Sequence, residues 1–335
     1  MADKARIGIV GCGDHQQRAL MPQLATLDQA DLAACADIDE VAAVTASNEF
    51  GFDRPYLDYH DMLASEQLDG VMITTPHHML KTAAIDAIES GCNVFIEKPM
   101  GVNVQEALEI REAAHRAGVS VMVGYCLRYA EGRRIMKSLI DSGAIGDITT
   151  INAGKGTSPL EGWRTEVDKG GGVLLWLGVH IIDQALWMAG SEAVRVYGEV
   201  YRHTDDGVDQ NSVFTVRFAN DVTANVTCSQ NVGGSVGFDY IEVMGTAGRI
   251  KSEWPSNIIN VVSETVEEYR HPTLIAPPEP RAYVEKMYRD ELDAWVQSVN
   301  DRTSPPITVD DGVNVLEVIS GVFESGMTHS PVTLR

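Results

Sequence analysis

Three short stretches of this sequence carry residue types that can do chemistry together. The first is Gly11-Cys12-Gly13, which follows the apolar run 6–10 and opens a helical pattern. Gly11 permits a tight turn, Gly13 lets the backbone approach a pyrophosphate, and the N–H groups at the helix N-terminus meet the phosphate charge. The second is Asp37, at the end of the apolar run 32–36. A dinucleotide-binding fold places a carboxylate there to accept hydrogen bonds from the adenosine ribose. The third is Glu97-Lys98-Pro99, which ends the run 93–96. Open α/β sheets bind ligands at the carboxyl ends of their strands, and Pro99 biases Lys98 towards an extended backbone, so the ammonium is held in one direction.

Each stretch has a plainer reading beside it. The third glycine of the usual dinucleotide fingerprint is Gln16 here, and Gly-x-Gly also occurs in ordinary turns. Asp37 can equally cap the next helix, and the two roles can coexist. Asp39 and Glu40 follow it, with no Arg or Lys beside them, so a 2′-phosphate would meet three carboxylates. NAD is therefore expected over NADP.

The elements that must position these residues come in two textures. Through residue 124, the apolar runs 6–10, 32–36, 71–74, 93–96 and 120–123 alternate with helical patterns such as 79–90 and 105–117, which are followed by Gly91 and Gly118. This predicts an N-terminal Rossmann domain of the α/β class, a doubly wound parallel sheet over residues 1–125. Beyond Gly146, long alternating stretches (193–203, 212–219, 222–230, 238–244) follow one another without helices between them. They predict an α+β domain over 126–335, a mostly antiparallel open sheet with helices near 172–188, 283–300 and 310–325, the last segment packing back on the first domain.

Composition excludes whole classes of function. Against 26 Lys and Arg stand 48 Asp and Glu, a formal charge of −22, which repels nucleic acid and anionic membrane surfaces. The acidity reads as solubility, with adaptation to salty surroundings as the sharper alternative. A hydrophobic share of 44% with 22% charged residues is ordinary globular composition. No apolar run is expected to reach the roughly 18 residues that span a bilayer, the N-terminus lacks a signal-peptide pattern, and a cytoplasmic location is expected. Five widely spaced cysteines with no Cys-x-x-Cys pair read as reduced structural thiols, and no metal is expected.

With Gly11-Cys12-Gly13, Thr75-Pro76, Glu97-Lys98-Pro99, Gly124-Tyr125, Arg128-Tyr129, Gly170-Gly171-Gly172, Gly178-Val179-His180, Asp183 and Gly245-Thr246-Ala247-Gly248 in this order, the chain resembles the glucose-fructose oxidoreductase and inositol dehydrogenase family, Gfo/Idh/MocA, over its whole length. The resemblance implies hydride transfer between NAD and a secondary hydroxyl of a sugar, cyclitol or glycoside. It implies Lys98 and His180 as the catalytic pair, His180 as principal acid/base and Lys98 on the reacting hydroxyl. An imidazole of ordinary pKa near ~6.5 can take that proton at neutral pH, and an ammonium stabilises charge developing on the oxygen. Cofactor contacts are expected from Gly11, Gly13, Asp14, His15, Asp37, Thr75, Pro76, His77, Glu97, Lys98 and Arg128. Substrate contacts are expected from Tyr125, Lys155, Trp163, Arg164 and Trp176 besides Lys98 and His180. For Arg128 a structural ion pair is the alternative, and for the Lys155, Trp163 and Arg164 segment an exposed loop.

Two departures from the family pattern bear on mechanism. Where an Asp commonly lies four residues before the His, this chain has Trp176, whose indole can stack on the apolar face of a sugar. Asp183 can orient the imidazole instead. The reading taken is a dehydrogenase relying on Lys98 and His180, with altered proton handling or shifted redox chemistry as alternatives. His77 and His78 follow Pro76 directly, while the family's His position is Leu80. Gly170 to Gly172 are expected to let the chain pass close to the ligand. The wide second-domain sheet predicts a homodimer or homotetramer through that sheet. Rival functions are a redox-neutral NAD-dependent glycosidase and a non-catalytic NAD-sensing regulator.

Overall fold

In the computed structural model, residues 4–234, 237–254, 256–276 and 283–334 are described. Two compact units emerge, Met1–Cys126 with Val284–Val313, and Leu127–Tyr283 with Asn314–Arg335.

The first unit is built on a six-stranded parallel sheet: β1 (Ala5–Val10), β2 (Ala30–Ala36), β3 (Arg54–Tyr56), β4 (Gly70–Ile73), β5 (Asn93–Glu97) and β6 (Val121–Gly124), ordered β3-β2-β1-β4-β5-β6. The order reverses at β1, so the crevice for a ligand opens beyond the carboxyl ends of β1 and β4. Central strands buried on both faces read as continuous apolar runs, which is why β1, β4 and β5 are legible in sequence. The short edge strand β3, Arg-Pro-Tyr, has no such run and escapes a periodicity search. Helices α1 (His77–Glu89) and α2 (Val104–Ala117) follow β4 and β5. Asn103 caps α2 through the backbone N–H of Glu106, and Gly118, at φ 70°, ends it. Trp295, fully buried on the later helix Tyr283–Asp301, packs against Phe95 of β5 with ring centroids 5.6 Å apart. Burying a side chain of that size contributes roughly 3 kcal/mol, which fixes the strand that leads into Lys98.

The second unit carries a nine-stranded sheet. In chain order its strands are β7 (Ile148–Gly156), β8 (Ala193–Arg202), β9 (Asp209–Phe218), β10 (Thr223–Ser229), β11 (Phe238–Gly245), β12 (Gly248–Trp254), β13 (Ile259–Ser263), β14 (Thr273–Ile275) and β15 (Val332–Thr333), and in space they run β14-β13-β12-β11-β7-β10-β9-β8-β15. All pairings are antiparallel except β7 with β10. The inner face, with Val196, Phe214, Val216, Val226, Ile241 and Val243, is buried. The other face is mixed rather than apolar: exposed Tyr197, Tyr201 and Val213 stand among Thr215, Asn225 and Arg217.

Against the inner face packs the helix that carries His180, a π-wound stretch Leu174–Gly178 continued by Val179–Ala189. Contrary to expectation, the segment Val167–Ala189 is long and apolar enough by length and composition to cross a membrane, but most of it is buried inside its unit, where Leu, Ile, Val and Ala serve the core. All five cysteines are buried and free of disulfides.

Candidate functional site

In the first unit the candidate residues are placed largely by backbone. Gly11 sits at φ 99°, and a Cβ there would lie 3.0 Å from the backbone carbonyl of Thr74, so the turn admits glycine alone. Gly13 is exposed, and a Cβ there would touch only the tip of Gln16, which leaves room in front of the turn. The chain after the turn is π-wound over Gln16–Leu20 before regular helix resumes at Met21–Leu24. Gln16, in place of the third glycine, is buried and donates from Nε2 to the Thr74 carbonyl at 3.1 Å, tying helix to strand end. This is how close packing is reached without that glycine.

Asp37 is not the cap of the next helix. Asp39 is, accepting from the Val41 N–H at 2.9 Å. The Asp37 carboxylate instead bridges back to the glycine turn: Oδ2 accepts from the Cys12 N–H at 2.7 Å, and Oδ1 from the Asp39 N–H at 2.9 Å. A carboxylate oxygen has two lone pairs, so each retains capacity for a ribose hydroxyl. Ile38, Asp39 and Glu40 are exposed beside it. Cys12 and Cys35 lie behind the turn, and the hydrogen bond between them, with burial, holds the Cys12 thiol protonated.

At the end of β4, Thr74 donates from its hydroxyl to the Gly11 carbonyl at 2.8 Å, while the neighbouring Thr75 has a buried hydroxyl without a hydrogen-bond partner. A buried polar atom of this kind asks for a ligand, and together with the open glycine turn it fits a dinucleotide. His77 is buried and His78 exposed, both in the first turn of α1. Asp14 and His15 are exposed at the helix start; Asp14 pairs with Arg18, and the His15 ring meets Tyr288 edge-on at 5.9 Å. Glu97 is buried and accepts from the Lys98 N–H at 3.1 Å, which anchors the backbone that presents Lys98. The Lys98-Pro99 peptide is cis. Tyr125 is fully buried just past β6.

In the second unit the candidate residues are held by side chains. His180 is 8% exposed, one helical turn after half-buried Trp176. Arg164 lies with its guanidinium carbon 4.2 Å from the centroid of Trp176 and 5.2 Å from that of Trp163. The alternative of an exposed loop around 163–164 gives way to a packed cluster. Arg128 has the ion-pair role: Nε and Nη2 reach Asp183 at 3.0 and 2.6 Å, with the acid almost fully buried. Both Asp183 oxygens accept from Arg128. Lys155 is likewise engaged, sharing the buried Asp239 with Arg133. These two cations hold the Asp239 carboxyl below its usual range although burial alone would raise it.

The glycine run 170–172 makes its close approaches to the protein itself rather than to open space. A Cβ on Gly171 would lie 2.4 Å from the Arg164 carbonyl oxygen, and one on Gly172, at φ 108°, 2.0 Å from Oδ1 of Asp209. Asp209 is the residue that sequence reasoning missed. It is 2% exposed, its Oδ2 accepts from the Leu174 N–H at 2.8 Å, and it thereby seats the start of the His180 helix. Burial pushes its carboxyl up to about 6. Nothing in its context, the first residue of β9, marks it in sequence. Among the described residues no group of three or more His, Cys, Asp or Glu could hold a metal ion.

Comparison with known proteins falls into line with this geometry. A family model described as "Oxidoreductase family, NAD-binding Rossmann fold" matches residues 5–125, and one described as "GFO/IDH/MocA C-terminal domain" matches residues 134–251. The chain is 30% identical over 253 residues to inositol 2-dehydrogenase of Burkholderia lata, covering 73% of each. It is 24% identical over 334 residues to D-xylose 1-dehydrogenase (NADP(+)) 2 of Haloferax volcanii, covering 98% of this chain and 99% of that one. The solved structure of levoglucosan dehydrogenase with NADH and levoglucosan shares the fold, with a TM-score of 0.90 at 21% identity over 99% and 100% of the two chains.

Proposed function

Starting from the Gfo/Idh/MocA oxidoreductase family, to which this chain belongs, we propose that it is an NAD-dependent dehydrogenase of a secondary hydroxyl on a sugar, cyclitol or glycoside. The observation that carries the cofactor half is the glycine turn closed by Asp37, with the orphaned Thr75 hydroxyl at the next strand end. Gly11, Gly13 and Thr75 would hold the pyrophosphate side, and Asp37 the adenosine ribose. Preference for NAD over NADP rests on the three carboxylates at 37, 39 and 40, although one relative is named for NADP. When bound, the nicotinamide supplies the hydride acceptor.

The chain's own residues handle the proton. Hydride can leave carbon only as the hydroxyl proton departs, so a base and a charge stabiliser are both required. His180 takes the proton at a ring nitrogen, on a helix whose start Asp209 fixes. Lys98 donates to the reacting oxygen from a backbone that Glu97 holds. Trp176 offers an apolar face to the ring carbons. The dimer or tetramer through the second-unit sheet and the cytoplasmic location belong to the same proposal.

The test is a panel of polyols, sugars and glycosides with NAD, followed by NADH formation and by aglycone release. Net NADH with wild-type protein, lost by at least about 1,000-fold in Lys98→Met while NADH affinity stays within about threefold, is the expected result. Aglycone released without net NADH would replace the dehydrogenase by a redox-neutral glycosidase. A near-normal rate in Lys98→Met would remove Lys98 from the chemistry.

A further inference from the structure

We propose that Arg164 anchors an anion site in the second unit and that the anion is the carboxylate of an acidic sugar; the sugar half of this statement rests on the oxidoreductase reading above. The guanidinium is covered by the Trp176 ring at 4.2 Å and flanked by Trp163 at 5.2 Å, and the two indoles meet edge to face at 5.9 Å. Aromatic faces offset the burial of a cation but accept no conventional N–H hydrogen bond. The hydrogen-bonding capacity of the group is therefore left for something else.

Among the described residues of the unit, none is seen to take that capacity. The Nε of Arg164 is buried with no hydrogen-bond partner, and among the described residues no carboxylate forms an ion pair with its guanidinium. Glu166, the nearest acid along the chain, is paired with Lys169 at 2.7 Å. Other inward cations of the same unit are treated differently: Arg128 is matched by Asp183, and Arg133 and Lys155 by Asp239. In a chain with 48 acidic residues, a sheltered arginine without one stands out. An acid at position 176 would have neutralised it, whereas the indole supports it and leaves its charge uncompensated.

The arginine is also held in place. Its carbonyl oxygen accepts from the Gly172 N–H at 2.9 Å, and only glycine at 171 leaves space for that oxygen. The same glycine run leads into the helix that bears Trp176 and, four residues on, His180. Anion anchor, ring-stacking face and proton acceptor thus belong to one local structure. A planar guanidinium fork matches a planar carboxylate through two in-plane hydrogen bonds, and a monoanion meets less repulsion than a phosphate dianion from a chain of net charge −22.

The experiment is equilibrium binding to the full chain with NADH present, read by tryptophan fluorescence and calorimetry, with matched probes: D-glucuronate, D-galacturonate and D-gluconate against D-glucose, D-galactose and glucose 6-phosphate. A carboxylate probe is expected to bind at least about 30-fold more tightly than its neutral partner, with the preference falling below about threefold in Arg164→Gln. Arg164→Lys, which keeps charge but not the fork, should fall in between. NADH affinity and melting temperature of each variant establish that it is folded. Equal binding of acidic and neutral probes, tighter binding of glucose 6-phosphate than of every carboxylate, or a preference unchanged in Arg164→Gln would each overturn the proposal. Carboxylate binding that depends on Arg164, with no NADH formed from any probe, would uphold the anion site while sinking the dehydrogenase reading; turnover of neutral sugars without acid preference would do the reverse.

Discussion

The candidate residues of the two units are held by different means. Around Gly11 the first unit offers backbone: a turn at positive φ, a carboxylate bonded to two N–H groups, and strand ends beyond a parallel sheet. Around Trp176 the second unit offers side chains: a guanidinium on an indole, an imidazole on a buried helix, and acids matched to cations across the sheet. A backbone device depends on one or two residues that no other type can replace. A side-chain device depends on which distant residues the fold brings together. The first suits a cofactor of fixed shape, and the second lets one fold take different substrates.

Glycine substitutions give the largest expected break in this comparison. Gly11→Ala places a Cβ 3.0 Å from the Thr74 backbone at a φ that alanine resists, and should weaken NADH binding by about 100-fold or more. Gly172→Ala places a Cβ 2.0 Å from the Asp209 carboxylate, and should lower the melting temperature and turnover while NADH affinity changes by less than about threefold. Titrating NADH into both variants checks the contrast, and equal losses of affinity would erase it.

A smaller effect is expected at Asp37. Alanine there removes one of three carboxylates and the brace on the Cys12 N–H, so the ratio of NAD to NADP affinity should fall by about tenfold. An unchanged ratio would transfer the discrimination to Asp39 and Glu40.

An effect on stability rather than on binding concerns the buried acid of the second unit. The folded-state pKa of Asp209, about 6, lies above its ordinary value of 3.8, so between these pH values the folded chain binds the proton more tightly than the unfolded one. The stability this supplies is full below pH 4 and is lost as pH rises through 6, a span of roughly 3 kcal/mol. Asp209→Asn should therefore cost most near pH 4, and its deficit relative to wild type should narrow by pH 7. Melting curves of the two proteins across that range check it; a gap that widened with pH would mean the carboxylate is stabilised as an anion by the Leu174 N–H.

Much of the first unit was legible from residue order alone, because its signals are local. Runs buried on both faces of a parallel sheet, glycine at a required positive φ, and Asp37 at a strand end are each set by a few consecutive residues. The broad division of the second half into alternating strands and later helices is local in the same sense, whereas the helix Glu131–Asp141 was not expected. The edge strand Arg54–Tyr56 and the π turns at Gln16–Leu20 and Leu174–Gly178 were not legible, since each is decided by what packs against it.

The sequence by itself determined that a turn of Gly11 and Gly13 precedes a helix, that Lys98 ends an apolar strand, and that His180 follows Trp176 by one helical turn, because chain connectivity and short-range sterics suffice for these. Only the tertiary structure decided that Asp183 serves Arg128, that Asp239 holds Lys155, that Asp209 seats the His180 helix, and that Arg164 rests on tryptophan with no acid paired to it among the described residues. Ion pairing and burial join residues tens of positions apart, and their energies depend on distance and solvent exclusion that only the folded chain defines.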